Sequence, residues 1–319
     1  MTTPEAFVPV AITDRNGLDE SVHFGAVVGL GPSGEVEFAV GDPATIVYPR
    51  SSNKPMQAVA MVRAGLHLPP ELLAVVCASH DGTPMHTAAA ARVLASVGLG
   101  SDALANTPSY PLDERAAREV IARGEGPARL YMNCSGKHSG MLATCVHQGW
   151  AHDPGYLDEQ HPLQVRITDA IDELCDEPHA HIGIDGCGAP AHAMSLVGLT
   201  RAFRAIATGA AGAAGDEVYA AMTGHPQMVG GERRDVTAFM RRVPGLMAKD
   251  GADGVFAAAM PDGRAVAVKI ADGANRARPP VMVAALAQLG IDVSAVAPLV
   301  EETIMGHGQQ VGRVRAVAP

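Results

Sequence analysis

The chain has 319 residues, enough for one large domain or two ordinary ones, and hydrophobic residues make up 47% of it, which is sufficient for a real core. A formal net charge of −10, with no dense cluster of Lys and Arg, argues against nucleic-acid binding, which requires a basic surface. No run of about 18 uncharged apolar residues occurs and residues 1–8 carry no basic region, so we expect neither a membrane span nor a signal peptide.

The cysteines indicate the compartment. There are five of them, an odd number, and they share no short repeated spacing. A disulfide framework is therefore not expected. Reduced thiols are typical of the cytosol, so the sequence predicts a cytoplasmic protein.

Two hairpins are predicted, one near each end of the chain. Residues 22–30 and 35–41 flank a Gly-Pro-Ser-Gly turn, and residues 254–260 and 264–271 flank a Pro-Asp-Gly-Arg turn. If the two hairpins pair, they form one antiparallel sheet, which we expect terminal helices to cover. The region between them is mostly helical in pattern, beginning with a helix over 53–66.

The expected fold class is therefore α/β, of the α+β type, with an antiparallel sheet covered by helices and a second, mostly helical lobe. The sheet lobe would comprise about 1–50 and 245–319, and the helical lobe about 51–244. An Ala/Gly-rich stretch at 205–214 is predicted to be a mobile connection.

Ser51 and Lys54 are the first candidates for chemistry. They are three positions apart at the start of a predicted helix, so both side chains would lie on one face. A serine becomes a nucleophile when a base takes its proton, and a desolvated lysine can be that base. Ser51 as an ordinary helix cap is the alternative.

Ser79 and Lys249 are the second pair. Ser79 lies in a small-residue turn after an apolar helix, and Lys249 precedes Asp250-Gly251 at the start of a strand. A glycine at that position allows the backbone to approach a ligand, so Gly251 is a candidate substrate contact. The order S-x-x-K, serine turn, K-x-G resembles that of the penicillin-recognising serine hydrolases.

Two Gly-flanked turns carry thiols. Cys134 is followed by Ser-Gly-Lys137-His138, and Cys187 follows Asp185-Gly. Thiolates and imidazoles are zinc ligands and a neutral lysine amine can be one, although small buried thiols are an equal alternative. His80 lies directly after Ser79 and is a candidate for substrate binding.

Several longer segments together resemble the asparaginase II family, the bacterial type unrelated to the threonine-nucleophile asparaginases. They fall in order along most of the chain: YPRSSNKPMQA (48–58), CASHDG (77–82), NCSGKHSGML (133–142), DGCGAP (185–190), HPQMVGG (225–231) and AKDGADGV (248–255).

The resemblance implies a fold like that of the serine β-lactamases and glutaminases. It implies hydrolysis of the side-chain amide of L-asparagine and, as a family-based expectation, a homodimer. Two Ser–Lys pairs are implied, Ser51 with Lys54 and Ser79 with Lys249.

It also implies a zinc position next to the substrate pocket, lined by Cys134, Lys137 and Cys187. The family can carry a further cysteine near Lys249, where this chain has Met247.

The hypothesis from sequence is an acyl-enzyme mechanism. Ser51 would be the nucleophile, Lys54 its base, and Ser79 and Lys249 a relay to the leaving nitrogen. The substrate is a zwitterion, so Arg50 is the candidate partner of its carboxylate and Asp185 of its ammonium. His80, His138 and Gly251 complete the predicted binding residues.

Three other functions remain open from the sequence. One is a β-lactam or peptide hydrolase, although the chain lacks S-x-N and K-T-G motifs. The second is a glutaminase, because one methylene changes binding by only about 1–3 kcal/mol. The third is a non-enzymatic module stabilised by zinc.

Overall fold

The computed structural model describes residues 3–317. Its strands are β1 (Val8–Arg15), β2 (Leu18–Leu30), β3 (Val36–Val40), β4 (Ile46–Val47), β5 (His181–Ile184), β6 (Pro190–Ser195), β7 (Met247–Asp250), β8 (Val255–Ala259), β9 (Ala265–Ile270), β10 (Thr303–Gly306) and β11 (Gln309–Ala316).

The α-helices are α1 (Lys54–Arg63), α2 (Pro70–Val76), α3 (Pro84–Ala95), α4 (Glu114–Ala122), α5 (Ser135–Gln148), α6 (Pro162–Cys175), α7 (Leu196–Ala207), α8 (Gly212–Gly224), α9 (Pro226–Val229), α10 (Asp235–Arg242) and α11 (Arg278–Gln288). No helix of the described chain is long and apolar enough to cross a membrane.

The two predicted hairpins pair with each other through β2 and β9, which run antiparallel with Gly25 opposite Ile270 and Leu30 opposite Ala265. The large sheet has the order β10-β11-β1-β2-β9-β8-β7, and β3 joins it on β2. A small sheet has the order β4-β6-β5. The expected α+β class with one main antiparallel sheet is confirmed.

Helices cover the central strands of the large sheet. Every residue of β8 is buried, and successive side chains of a strand point to opposite faces, so both faces are packed. Helices α7 and α11 both pack against β8 and β9. Of these two, α11 is the helix expected near the C-terminus, whereas α7 comes from the middle of the chain.

The helical part is organised around α1. Residues 54–62 of this helix are all buried, and it packs against α5, α6 and α8. A helix that is enclosed on every side forms the core of its layer.

The contact between α5 and α2 depends on a glycine. A Cβ on Gly136 would lie 2.1 Å from the carbonyl oxygen of Val75, so only glycine lets the start of α5 reach the end of α2.

Three expectations about the fold were incomplete or wrong. The sequence patterns did not predict β1, or the β10–β11 hairpin that follows α11. The stretch 205–214 is not one mobile connection, because α7 continues to Ala207 and α8 starts at Gly212. Alanine is the best helix former, so an Ala-rich pattern is compatible with helix ends.

Candidate active site

A cavity of about 970 Å³ lies where three distant segments meet. Ser51, Ser79 and Asn133 line it from the helical part, and Asp250 and Gly251 line it from the end of β7. Arginines and carboxylates form its outer wall. Two of the four residues predicted to carry the chemistry therefore face one cavity, and the other two lie directly behind it, as shown below.

Ser51 is held in a 3₁₀ turn, Arg50–Asn53, that leads directly into α1. Its side chain is partly exposed to the cavity, and its hydroxyl makes no hydrogen bond within residues 3–317. The preceding residue, Arg50, has φ of +52°, a left-handed conformation that is costly for a non-glycine residue. The result is an unbonded hydroxyl presented at the rim of a tight turn.

Lys54 is buried, and its amine points toward the turn after α2 rather than toward Ser51. Nζ donates to the carbonyl oxygen of Ala78 and lies 3.1 Å from Oγ of Ser79. Among the described residues no hydrogen bond joins Lys54 to Ser51, so the functional pairing of the two stays a prediction. Carbonyls at the end of a helix lack intrahelical donors, and the one beyond α2 accepts this amine.

Lys249 is fully buried at the end of β7. Nζ donates to the carboxylate Oδ1 of Asp250 at 2.7 Å and to its backbone oxygen at 2.6 Å. Among the described residues no hydrogen bond joins Lys249 to Ser79, and that pairing also stays a prediction. Burial lowers the pKa of Lys249 and the positive charge of Lys54 adds to this. Asp250 opposes both effects, and the pKa falls to about 8.

The four predicted residues still converge on one centre. Lys54 joins Ser79 directly and is close enough to Lys249 to influence its charge. The strand of Lys249 is tied to the turn of Ser51, since Oγ of Ser52 donates to the backbone oxygen of Lys249 at 3.0 Å. The structure therefore brings the four residues into one region, where Lys54 is bonded to Ser79 and Lys249 to Asp250.

A buried network of charges was missed from the sequence. Arg234 donates to Asp81 at 3.1 Å and to Asp250 at 2.5 Å, and Arg278 lies 3.8 Å from the same Asp250 carboxylate. Burial raises the pKa of Asp250, but Lys249, Arg234 and Arg278 outweigh it and hold the pKa well below its usual range. The adjacency of Asp250 to Lys249 was the available signal. Nothing local marks Arg234.

The two thiol turns lie next to each other in the structure. Cys134 precedes α5, Cys187 lies in the turn between β5 and β6, and Nζ of Lys137 is 3.1 Å from Sγ of Cys187. The hydrogen bond with Cys134, followed by the charge of Lys137, lowers the pKa of Cys187, whereas the same hydrogen bond and burial raise that of Cys134. The two sulfurs and the Lys137 amine therefore form one buried cluster.

His138 and His80 are buried beside the cavity rather than on it. Nδ1 of His138 bonds to the hydroxyl of Tyr156 at 2.7 Å, and burial lowers the pKa of His138 to about 4. His80 uses both ring nitrogens internally, Nδ1 accepting from the backbone N–H of Gly82 and Nε2 bonding to Oγ of Ser135. In this arrangement neither ring nitrogen of His80 is free for a substrate, and its role as a substrate contact stays a prediction.

Arg50 and Asp185 are paired with each other. Nε of Arg50 donates to Oδ1 of Asp185 at 2.9 Å, and the guanidinium also contacts Asp253. Neither Arg50 nor Asp185 lines the large cavity. They could take a substrate's charged groups only by exchanging partners.

Gly251 lines the cavity, but its need for glycine has an internal cause. A Cβ there would lie 2.3 Å from the backbone oxygen of Pro49. Its N–H donates to Val255, and its oxygen accepts from Arg278. Close approach to the Ser51 turn, rather than to a ligand, therefore explains the residue.

The donors predicted for zinc partly fit that metal. Two sulfurs and one nitrogen are suitable ligands, and Nε2 of His138 is buried without a hydrogen-bond partner next to Cys187. However, a lysine must be neutral to bind a metal. Burial lowers the pKa of Lys137, but Cys187 and Cys134 raise it by more, so the net effect favours the charged amine. Within residues 3–317, no set of three or more His, Cys, Asp or Glu side chains is arranged to hold a metal.

Comparison with known proteins identifies the family. The L-asparaginase II family matches residues 11–316. The chain belongs to that family. It is accordingly an amidohydrolase acting on a small molecule.

Solved structures similar to this one include a β-lactamase from Mycobacterium bovis, with 17% identity over 83% of this chain and 94% of the other and a TM-score of 0.40. A probable glutaminase is 18% identical over 84% of this chain and 86% of the other, with a TM-score of 0.44. Mglu in its native form is 16% identical over 83% of this chain and 63% of the other, with a TM-score of 0.43. No curated protein matches.

The placement of His80 generates a first prediction. In His80→Ala, the buried hydroxyl of Ser135 and the N–H of Gly82 lose partners, so we expect a loss of about 1–3 kcal/mol in the free energy of unfolding. KM for the amide substrate should stay within about twofold of wild type. Urea denaturation and steady-state kinetics measure both, with the exposed His67→Ala as control. A large KM increase with unchanged stability would restore His80 as a substrate contact.

Proposed function

We propose that this amidohydrolase is an L-asparaginase, converting L-asparagine to L-aspartate and ammonia through an ester on Ser51. The observation that carries the proposal is the unbonded Ser51 hydroxyl on the same cavity as Ser79, with two lysine amines buried directly behind. Family membership supplies the amide chemistry.

The first half-reaction begins with attack of Oγ of Ser51 on the side-chain amide carbon. A neutral lysine amine accepts the serine proton, and we assign this role to Lys54, whose amine must turn from the carbonyl oxygen of Ala78 toward Oγ of Ser51 to perform it. The N–H of Ser51 at the start of its turn is the candidate donor to the oxyanion. Lys54 then returns the proton through Ser79 to the amide nitrogen, which leaves as ammonia.

The second half-reaction regenerates the serine. Water attacks the ester, one of its protons passes to the same amines, and aspartate leaves as Oγ of Ser51 regains a proton. Lys249 contributes an amine whose pKa is about 8. Such a group exchanges a proton readily at the working pH.

Recognition of the zwitterion is assigned to the Arg50–Asp185 pair. Each side chain carries the charge that one end of the amino acid needs, and both are partly exposed at the turn of Ser51. The substrate would replace one internal ion pair with two external ones. Glutamine differs by one methylene, and it is the comparison substrate in the test below.

Zinc, if bound, would be held by Cys134, Cys187 and Lys137, with His138 adjacent. It would supply positive charge beside the pocket. In this proposal the nucleophile and base are the serine and lysine residues. A cytoplasmic homodimer remains part of the proposal, and its oligomeric state is measurable by analytical ultracentrifugation.

Ser51→Ala tests the nucleophile. Removing the only group that forms the ester should lower kcat for ammonia release from L-asparagine by at least about 10³-fold. Ser33→Ala, at an exposed turn serine, is the matched control and should match wild type. Wild-type turnover of nitrocefin or L-glutamine in preference to L-asparagine would redirect the substrate assignment, and an active Ser51→Ala would remove Ser51 from the chemistry.

Metal removal tests the role of the thiol cluster. Because the proposed route uses no metal-bound group, protein stripped with a chelator should retain measurable ammonia release. If the wild type carries zinc, metal analysis should find it lost from Cys134→Ser and retained in the control variant Cys145→Ser, which changes another buried cysteine. Complete loss of turnover that zinc alone restores would contradict the serine–lysine route as sufficient.

A further inference from the structure

The guanidinium of Arg234 joins two distant segments. One carries Ser79, the partner of Lys54, and the other carries Asp250, the partner of Lys249. Nη1 of Arg234 donates to Oδ1 of Asp81, two residues after Ser79, and Nη2 donates to Oδ2 of Asp250, the residue after Lys249. These segments are separated by almost 170 residues of chain. Arg234 therefore fixes the distance between the serine turn and the lysine strand.

The backbone next to Arg234 reinforces this connection. The N–H of Ser79 donates to the oxygen of Val229 at 3.0 Å, and that of Asp81 donates to the oxygen of Gly230 at 2.8 Å. The segment 229–234 thus holds the Ser79 turn at three points. Arginine suits the bridging position because its planar fork presents separate N–H groups to two carboxylates, which a lysine cannot do.

Asp250 divides its two oxygens between opposing cations. Oδ1 accepts from Lys249, and Oδ2 accepts from Arg234 with Arg278 3.8 Å away. The amine of Lys249 is also influenced by Lys54. A further titratable neighbour among the described residues is the thiol of Cys77, which stays neutral because burial raises its pKa to about 12.

We propose that Arg234 is a positioning residue that acts on Lys249 through Asp250, locking the carboxylate between the two cations and thereby setting the protonation of the buried amine. The consequence for turnover rests on the proposed function. The effect on Lys249 itself does not, since it follows from three side chains and their charges.

The two sides of this arrangement act on Lys249 in opposite directions. The Asp250 carboxylate stabilises the ammonium, so Asp250→Asn should lower the pKa of Lys249 by about 1 unit or more. The Arg234 charge destabilises the ammonium, so Arg234→Gln should raise the pKa of Lys249 toward its usual range. A purely structural loosening would hydrate Lys249 in both variants and raise its pKa in both.

The measurement is the NMR titration of lysine ¹³Cε resonances in full-length protein. It is practical because the chain has only Lys54, Lys137, Lys249 and Lys269, and Lys249→Met assigns the signal. Arg233→Gln is the matched control, because Arg233 is the adjacent arginine but pairs with Asp113 at the surface. In Arg233→Gln the pKa of Lys249 should equal its value in the wild-type protein.

Opposite shifts in Asp250→Asn and Arg234→Gln support the proposal. Arg234→Lys gives up the contact with Asp81 but keeps a positive charge beside Asp250, so the pKa of Lys249 should stay near its wild-type value. Shifts of the same sign, or no shift in either variant, overturn it. If Arg234→Gln does not fold, Arg234→Lys alone can decide. A pKa of Lys249 in that variant that has risen to the usual value of an exposed lysine overturns the proposal equally. Because the titration requires no turnover, opposite shifts in a protein that releases no ammonia would reject the proposed function alone.

Discussion

The burial of lysine amines is the constraint on which the rest of this structure depends. Three of the four lysines, Lys54, Lys137 and Lys249, are at most 2% exposed. A charged amine taken out of water without a partner is very costly, so each must be matched by nearby acceptors. Much of the surrounding architecture consists of those acceptors and of the segments that hold them.

Each buried lysine meets a different kind of partner. Lys137 lies against the sulfur of Cys187, and Lys249 against a carboxylate that is shared with Arg234. The hydrogen bonds of the Lys54 amine to described residues go to the neutral oxygens of Ala78 and Ser79. One small region therefore contains an amine whose pKa is raised, Lys137, and one whose pKa is about 8, Lys249, and the second can exchange a proton near neutral pH.

The sequence predicted the parts of this arrangement better than their connections. Ser51, Lys54, Ser79 and Lys249 were identifiable because each lies in a short local pattern, and the two hairpins because turns and alternation are local. Which oxygen Lys54 contacts depends on how α1 packs against α2, and no local pattern encodes that. The same holds for β1 and for β10 and β11, whose pairing joins the two ends of the chain, and for Arg234, which acts at long range on Asp81 and Asp250.

The central claim is that Ser51 attacks a substrate held between the two lysine-bearing segments. The most direct test is the crystal structure of the protein after reaction with a diazoketone analogue of asparagine, which alkylates the attacking atom. The account predicts a single covalent bond to Oγ of Ser51, with the analogue in the cavity that Ser79 and Asp250 line. A bond to another residue, or an adduct outside that cavity, would contradict it.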